Sequence, residues 1–146
     1  MMTRRPARLL PFFAALTVAA TLLLSAPGHA QADRDAAIQG VISAQIDAFR
    51  VDDFVRAFTF ASPTIQGIFG TPERFGAMVR QGYPMVWRPS SVRFGDVLQS
   101  SGRIVQPVYL TDAAGALYVA DYEMINVDGA WQINGVTLRR PEALGA

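Results

Sequence analysis

The sequence predicts an α+β domain, with short helices first and then a curved antiparallel sheet wrapped around the longest of them. Three observations carry this. Between Ile38 and Val79 apolar residues recur every three or four positions, the period of a helix with one buried face. After Pro89 they alternate with polar residues at a period of two, the period of a strand. The strand-like runs are joined by turn signals rather than by helical stretches, so neighbouring strands run antiparallel.

The first helix is expected over Asp33–Arg50. Ile38, Val41, Ile42, Ile46 and Phe49 form its apolar stripe, and Gln39, Ser43, Asp47 and Arg50 face away. Asp33 and Asp35 suit the positive end of its dipole. Asp52-Asp53 marks a corner, followed by a short helix with Phe54, Val55, Phe58 and Ala61 inward. Ser62-Pro63 and Thr71-Pro72 each read as a helix start: a side-chain oxygen caps the free N–H groups, and proline loses nothing at the first helical position. Ile65, Ile68 and Phe69 supply the apolar side of the first of these helices, which Gly70 ends. Phe75, Met78 and Val79 supply that of the second, with Gly82 as its C-terminal cap and Pro84 as its stop.

Strands are expected over Val92–Leu98, Ile104–Leu110, Leu117–Val127 and Ala130–Leu138. Pro107 lies inside the second, so that strand should carry an edge or a bulge there. Asp112–Gly115 is a hairpin turn, and Asp128-Gly129 is a two-residue turn of type I′. In the third strand Tyr118, Ala120, Tyr122 and Met124 share one face. In the last, Trp131 and Ile133 are out of phase with Val136 and Leu138, and a bulge at Asn134-Gly135 restores the phase. Trp131 is expected in the core beside Ile42 or Phe49. Arg139–Ala146 reads as a frayed tail. Such a sheet around the first helix makes a cone with room for a cavity.

Residues 1–30 read as a secretory signal peptide. Arg4, Arg5 and Arg8 precede an apolar run from Leu9 to Leu24, and Gly28-His29-Ala30 is a small-x-small cleavage site. Cleavage after Ala30 leaves 31–146 as one domain, periplasmic or secreted. The alternative is an uncleaved inner-membrane anchor over residues 9–24, which falls short of the about 20 residues a span needs. Losing three arginines turns the formal charge from +1 to −2, which argues against nucleic acid as a partner. His29, the only histidine, leaves with the leader, and the chain has no cysteine and no lysine. These absences exclude imidazole-based nucleophilic catalysis, lysine Schiff bases, disulfides and His/Cys zinc sites. No cofactor or metal is expected: Asp33, Asp35 and the Asp52-Asp53 pair lack the ligand count and loop glycine of a calcium site.

Several segments resemble a bacterial domain of unknown function, family 4864, within the nuclear transport factor 2-like superfamily. They are Ile46–Arg50, Phe58–Pro63, Phe69–Glu73, Met78–Pro84 and Asp128–Gly135, and the similarity runs over about residues 36–138. The resemblance implies the cone-shaped, cystatin-like fold. It implies no activity, since the superfamily contains enzymes, ligand binders and interaction modules.

Two groups of residues are candidate sites. Arg80, Tyr83, Trp87 and Arg88 gather where the last helix hands over to the sheet. There an arginine beside aromatic faces can hold an acidic or planar ligand, or the aromatics simply close one end of the core. Tyr118 and Tyr122, with Tyr109, can line the inner mouth of the cone, or pack on the first helix. Asp121 adjoins Tyr122, so the two face opposite ways on one strand and make a poor acid–base pair of the kind that ketosteroid isomerase relatives use. The reading that follows is an exported, non-enzymatic domain binding a small apolar or acidic molecule in an apolar pocket. A homodimeric interaction module, joined through the outer sheet face, is the alternative. A carboxylate/tyrosine enzyme acting on a small hydrophobic substrate is the third.

Overall fold

The computed structural model describes residues 26–141. The n-region and apolar run of the expected leader, and residues 142–146 of the expected tail, lie outside the described residues. Five helices come first: α1 (Pro27–Arg50), α2 (Phe54–Thr59), α3 (Pro63–Phe69), α4 (Pro72–Gly82) and α5 (Pro84–Trp87). Five strands follow: β1 (Ser91–Phe94), β2 (Leu98–Ser100), β3 (Arg103–Thr111), β4 (Leu117–Val127) and β5 (Ala130–Arg139). They form one antiparallel sheet in the order β1-β3-β4-β5, with β2 beside β1 along the same edge of β3. The predicted α+β class is therefore the observed one.

The helix starts follow their capping chemistry. The Ser62 hydroxyl accepts from the Ile65 N–H, the Thr71 hydroxyl from the Arg74 N–H and the Asp53 carboxylate from the Arg56 N–H. Proline occupies the first turn of α1, α3, α4 and α5. Proline also explains the first departure from expectation. Pro27 opens α1 rather than blocking it, so Asp33 and Asp35 lie beyond the first turn, and Asp35 pairs with Arg34 at 2.8 Å. Gly82 is the last residue of α4 rather than a left-handed cap. Tyr83 follows with φ −134°, and Pro84 starts a further turn of helix, α5. Val55 and Ile68 point outward, whereas Ala57 and Ala61 take the buried positions.

Ile38, Ile42, Ile46 and Phe49 of α1 pack on the inner face of the sheet, against Val108, Leu110, Ala120, Tyr122, Met124 and Ile133. Phe75 of α4 gathers the remaining aromatics, with ring centres 6.0 Å from Phe49, 5.2 Å from Phe58 and 5.8 Å from Phe69. Trp131 packs against this core from its margin and is only half-buried.

The strand expected over Val92–Leu98 is two strands. Phe94 pairs with Val108 and Leu98 with Val105, so three residues on one side face two on the other, Gln106 and Pro107. The Pro107 carbonyl accepts from the Gly95 N–H at 2.9 Å. An antiparallel residue presents its nitrogen and oxygen on the same side, so the missing N–H of Pro107 faces this interruption. The fully buried Gln106 amide stands in for the lost ladder bonds, donating to Gly95 O at 2.7 Å and Pro107 O at 2.8 Å.

Both hairpins and the second bulge are as expected. Asp128 and Gly129 have φ of 51° and 88°, the two positive values that a type I′ turn requires. Met124 pairs with Ile133 and Glu123 with Gly135, which leaves Asn134 as the extra residue. The bulge is stitched to the helices. Ser62 N–H donates to Ile133 O at 2.8 Å, Ile133 N–H to Phe60 O at 2.9 Å, and the Ser62 hydroxyl to Asn134 Oδ1 at 2.8 Å.

Candidate functional site

Between the helices and β5 lies a cavity of about 320 Å³ that opens to solvent. Each wall follows from the local sequence. The capped starts of α3 and α4 set the phase that turns Ile65, Phe69, Phe75, Met78 and Val79 toward it. Tyr83 and Val86 close one end, Gln45 and Phe49 of α1 form the floor, and Ile133, Gly135 and Val136 of β5 complete the far side together with Ala61. The bulge is needed here, because it brings Val136 back onto the inner face alongside Ile133. The volume lies at the low end of the range of about 300–1,000 Å³ typical of small-molecule sites.

Among the described residues only two polar side chains reach this cavity, those of Gln45 and Tyr83. The Gln45 amide donates to Ala57 O at 3.1 Å, and the Tyr83 hydroxyl donates to Val136 O at 3.3 Å.

Of the residues singled out from sequence, Tyr83 alone lines the cavity. Arg80 is exposed on α4, with its guanidinium 5.0 Å from the centre of the Phe54 ring. Trp87 and Arg88 turn instead to the corner between α1 and α2. The Trp87 indole N–H donates to Asp52 Oδ1 at 2.9 Å, and Arg88 donates to the same oxygen at 3.0 Å and to the Phe49 carbonyl at the end of α1. Arg88 also lies 4.3 Å over the Trp87 ring. The Trp87 hydrogen bond, then Arg88, hold the Asp52 carboxyl below its ordinary value. This clamp secures a residue with φ of 55°.

The tyrosines are not brought together. Tyr118 pairs with Leu110 and Tyr122 with Gln106, on the inner face, whereas Tyr109 pairs with Val119 on the outer one. Tyr118 lies under Arg140 and Tyr109 under Arg93. Tyr122 is fully buried, and its hydroxyl has no hydrogen-bond partner among the described residues.

The outer face carries a shallower and more polar groove of about 540 Å³. Asp121 there meets Arg139 at 2.7 Å, and Glu123 meets Arg103 and, at 3.3 Å, the Asn134 amide. The Arg103 hydrogen bond leads in holding Glu123 below the usual carboxylate range. Both carboxylates are thus committed to arginines. No carboxylate is buried among the described residues, and no group of three or more potential metal ligands forms there.

Gln45 is the residue that sequence reasoning passed over. Its signal was available: position 45 falls on the same helical face as Ile38, Ile42 and Phe49, a polar side chain within an apolar stripe.

No curated protein and no solved structure matches this chain. Residues 31–146 match the family model described as a domain of unknown function, DUF4864, and the chain belongs to that family.

Proposed function

We propose that this protein is an exported, non-enzymatic domain of the nuclear transport factor 2-like type that binds a small, largely apolar molecule in the cavity between α3, α4, α5 and β5. The observation that carries the reading is the cavity itself: open, lined almost wholly by apolar side chains, and large enough for an aromatic ring with a short chain. Helices leading into a sheet wrapped on α1 fit the cone architecture. The basic and apolar leader ending at Ala30 supports export, and cleavage there leaves the buried stripe of α1, which begins at Ile38, intact. Among the described residues no helix is long and apolar enough to cross a membrane.

The test is fluorescence enhancement of the apolar probe phenylnaphthylamine. The wild type should bind it, and Ile65→Trp, which places an indole in the cavity, should bind it at least about tenfold more weakly while keeping a cooperative melt. Arg80→Ala should bind it as the wild type does, because Arg80 lies outside the cavity. Absence of binding by the wild type, or unchanged binding by Ile65→Trp, removes the proposal. For export, N-terminal sequencing of secreted or periplasmic material should begin at Gln31, and recovery of the intact chain from the inner membrane would overturn that part.

A further inference from the structure

The polar atoms of the cavity carry the reading one step further, to the class of ligand. Gln45 is 97% buried, with only 3% of its surface exposed. One of its amide hydrogens is committed to the Ala57 carbonyl. That bond fixes which end of the amide is which, since only nitrogen can donate to a carbonyl. The other end, Oε1, receives no hydrogen bond from any described residue, yet it is not among the sealed, unpartnered atoms. Gln45 lines the cavity, so this oxygen is the acceptor that its side chain can offer there. The Tyr83 hydroxyl has spent its single hydrogen on Val136 O, so what it too offers is an oxygen lone pair. Two acceptors in an apolar hollow ask for a donor. The remaining amide hydrogen of Gln45 suits the oxygen of that same donor group, and a hydroxyl both gives and accepts.

Charge decides the rest. Among the described residues no arginine, aspartate or glutamate lines the cavity, and Arg80 is engaged on the outer surface over Phe54. An anion entering here would lose its hydration without meeting a cation, and would set a carboxylate against two lone pairs. We propose that the cavity selects small neutral molecules that combine an apolar body with one hydroxyl group, phenols and alcohols of about the size of naphthol, and rejects the corresponding carboxylates. The inference rests on the binding function proposed above and narrows it, replacing the broader expectation of an apolar or acidic ligand.

Three probes of one shape separate the terms: naphthol, methylnaphthalene and naphthoate, titrated against the full chain by isothermal calorimetry. The wild type should bind naphthol about tenfold more tightly than methylnaphthalene, the worth of one good buried hydrogen bond, and naphthoate at least a further tenfold more weakly. In Gln45→Leu the ratio of naphthol to methylnaphthalene affinity should fall to about one. Its Ala57 carbonyl loses a partner, so a thermal melt accompanies it. If the variant does not fold, Tyr83→Phe and the wild-type ranking decide the matter: Tyr83→Phe should lower the ratio of naphthol to methylnaphthalene affinity. Equal affinity of the wild type for naphthol and methylnaphthalene, or tightest binding of naphthoate, overturns the ligand class while leaving the cavity as a binding site. Failure of all three probes to bind overturns the binding function itself.

Discussion

Replacing Tyr122 with phenylalanine should make the protein more stable. Tyr122 sits in the middle of β4, fully buried between Gln106 on β3 and Val136 on β5. Its ring fills the core under α1, but its hydroxyl reaches no hydrogen-bond partner among the described residues. A hydroxyl removed from water and left unpaired costs about 1–3 kcal/mol, whereas a paired one is worth roughly 1 kcal/mol. Tyr122→Phe keeps the ring and removes only the oxygen, so the gain should be about 1–2 kcal/mol. For a domain of this size that corresponds to a rise in melting temperature of roughly 4–8 °C. Burial also pushes the phenol well above its ordinary value of 10.0. The unfolded chain therefore ionises this group first. Stability from the protonated phenol is complete below pH 10.0 and is lost as the pH rises beyond it. The advantage of Tyr122→Phe should accordingly widen above that pH. Thermal melts of both proteins at neutral and alkaline pH test the pair of expectations. A lower melting temperature for Tyr122→Phe at neutral pH would refute the reasoning, because it would mean that the hydroxyl is held by a hydrogen bond.

Two further expectations concern packing and charge. A methyl group at Gly76 would lie 2.6 Å from Cγ of Phe54. Gly76→Ala should therefore lose about 1–3 kcal/mol to overpacking, outweighing the up to about 1 kcal/mol that alanine gains in a helix; a stabilised variant in urea denaturation would show that Phe54 does not pack there. The Asp52 carboxyl is held below its ordinary value of 3.8 by Trp87 and then Arg88, so the clamp's contribution is present above 3.8 and is lost as the pH falls through the lower folded value. In a Trp131→Phe background, Trp87 emission should stay constant from neutral pH down to 3.8 and change only below it, and an earlier change would count against the clamp.

Where a structural decision is made by neighbours in the chain, it was legible. Ser62-Pro63, Thr71-Pro72 and Asp128-Gly129 act within three or four residues, and each does locally what its chemistry dictates. The bulge at Asn134 could be read because the register of inward residues fails without it. The break between β1 and β2 could not, since it depends on the Gln106 side chain replacing backbone partners eleven positions away. The early start of α1 was missed, because Pro27, a helix breaker in an interior, stands at the first helical position and costs nothing there. The candidate site was hardest. Ile65, Phe69, Met78 and Val79 show the same stripe whether they pack on a neighbour or face a hollow, because periodicity reports a direction and not what is met there. Trp87 and Arg88 follow Tyr83 by only four and five residues, yet the turn of α5 carries them round to Asp52.

The seam between Ser62 and Asn134 also constrains how the chain can be made. Its two ends are 72 residues apart, and a chain is synthesised from its N-terminus. When α2 and α3 emerge, the Ser62 N–H, the Ser62 hydroxyl hydrogen and the Phe60 carbonyl lack the partners that the last strand supplies. Contacts of such long separation slow folding, because the loop must close before they reward it. The hydrogen bonds that join the helical half to the sheet at this seam therefore form only once β5 is available. A seam that forms so late fits the export proposed above. It also means that a fragment ending before Asn134 would lack one wall of the cavity and the strand that locks the other walls in place.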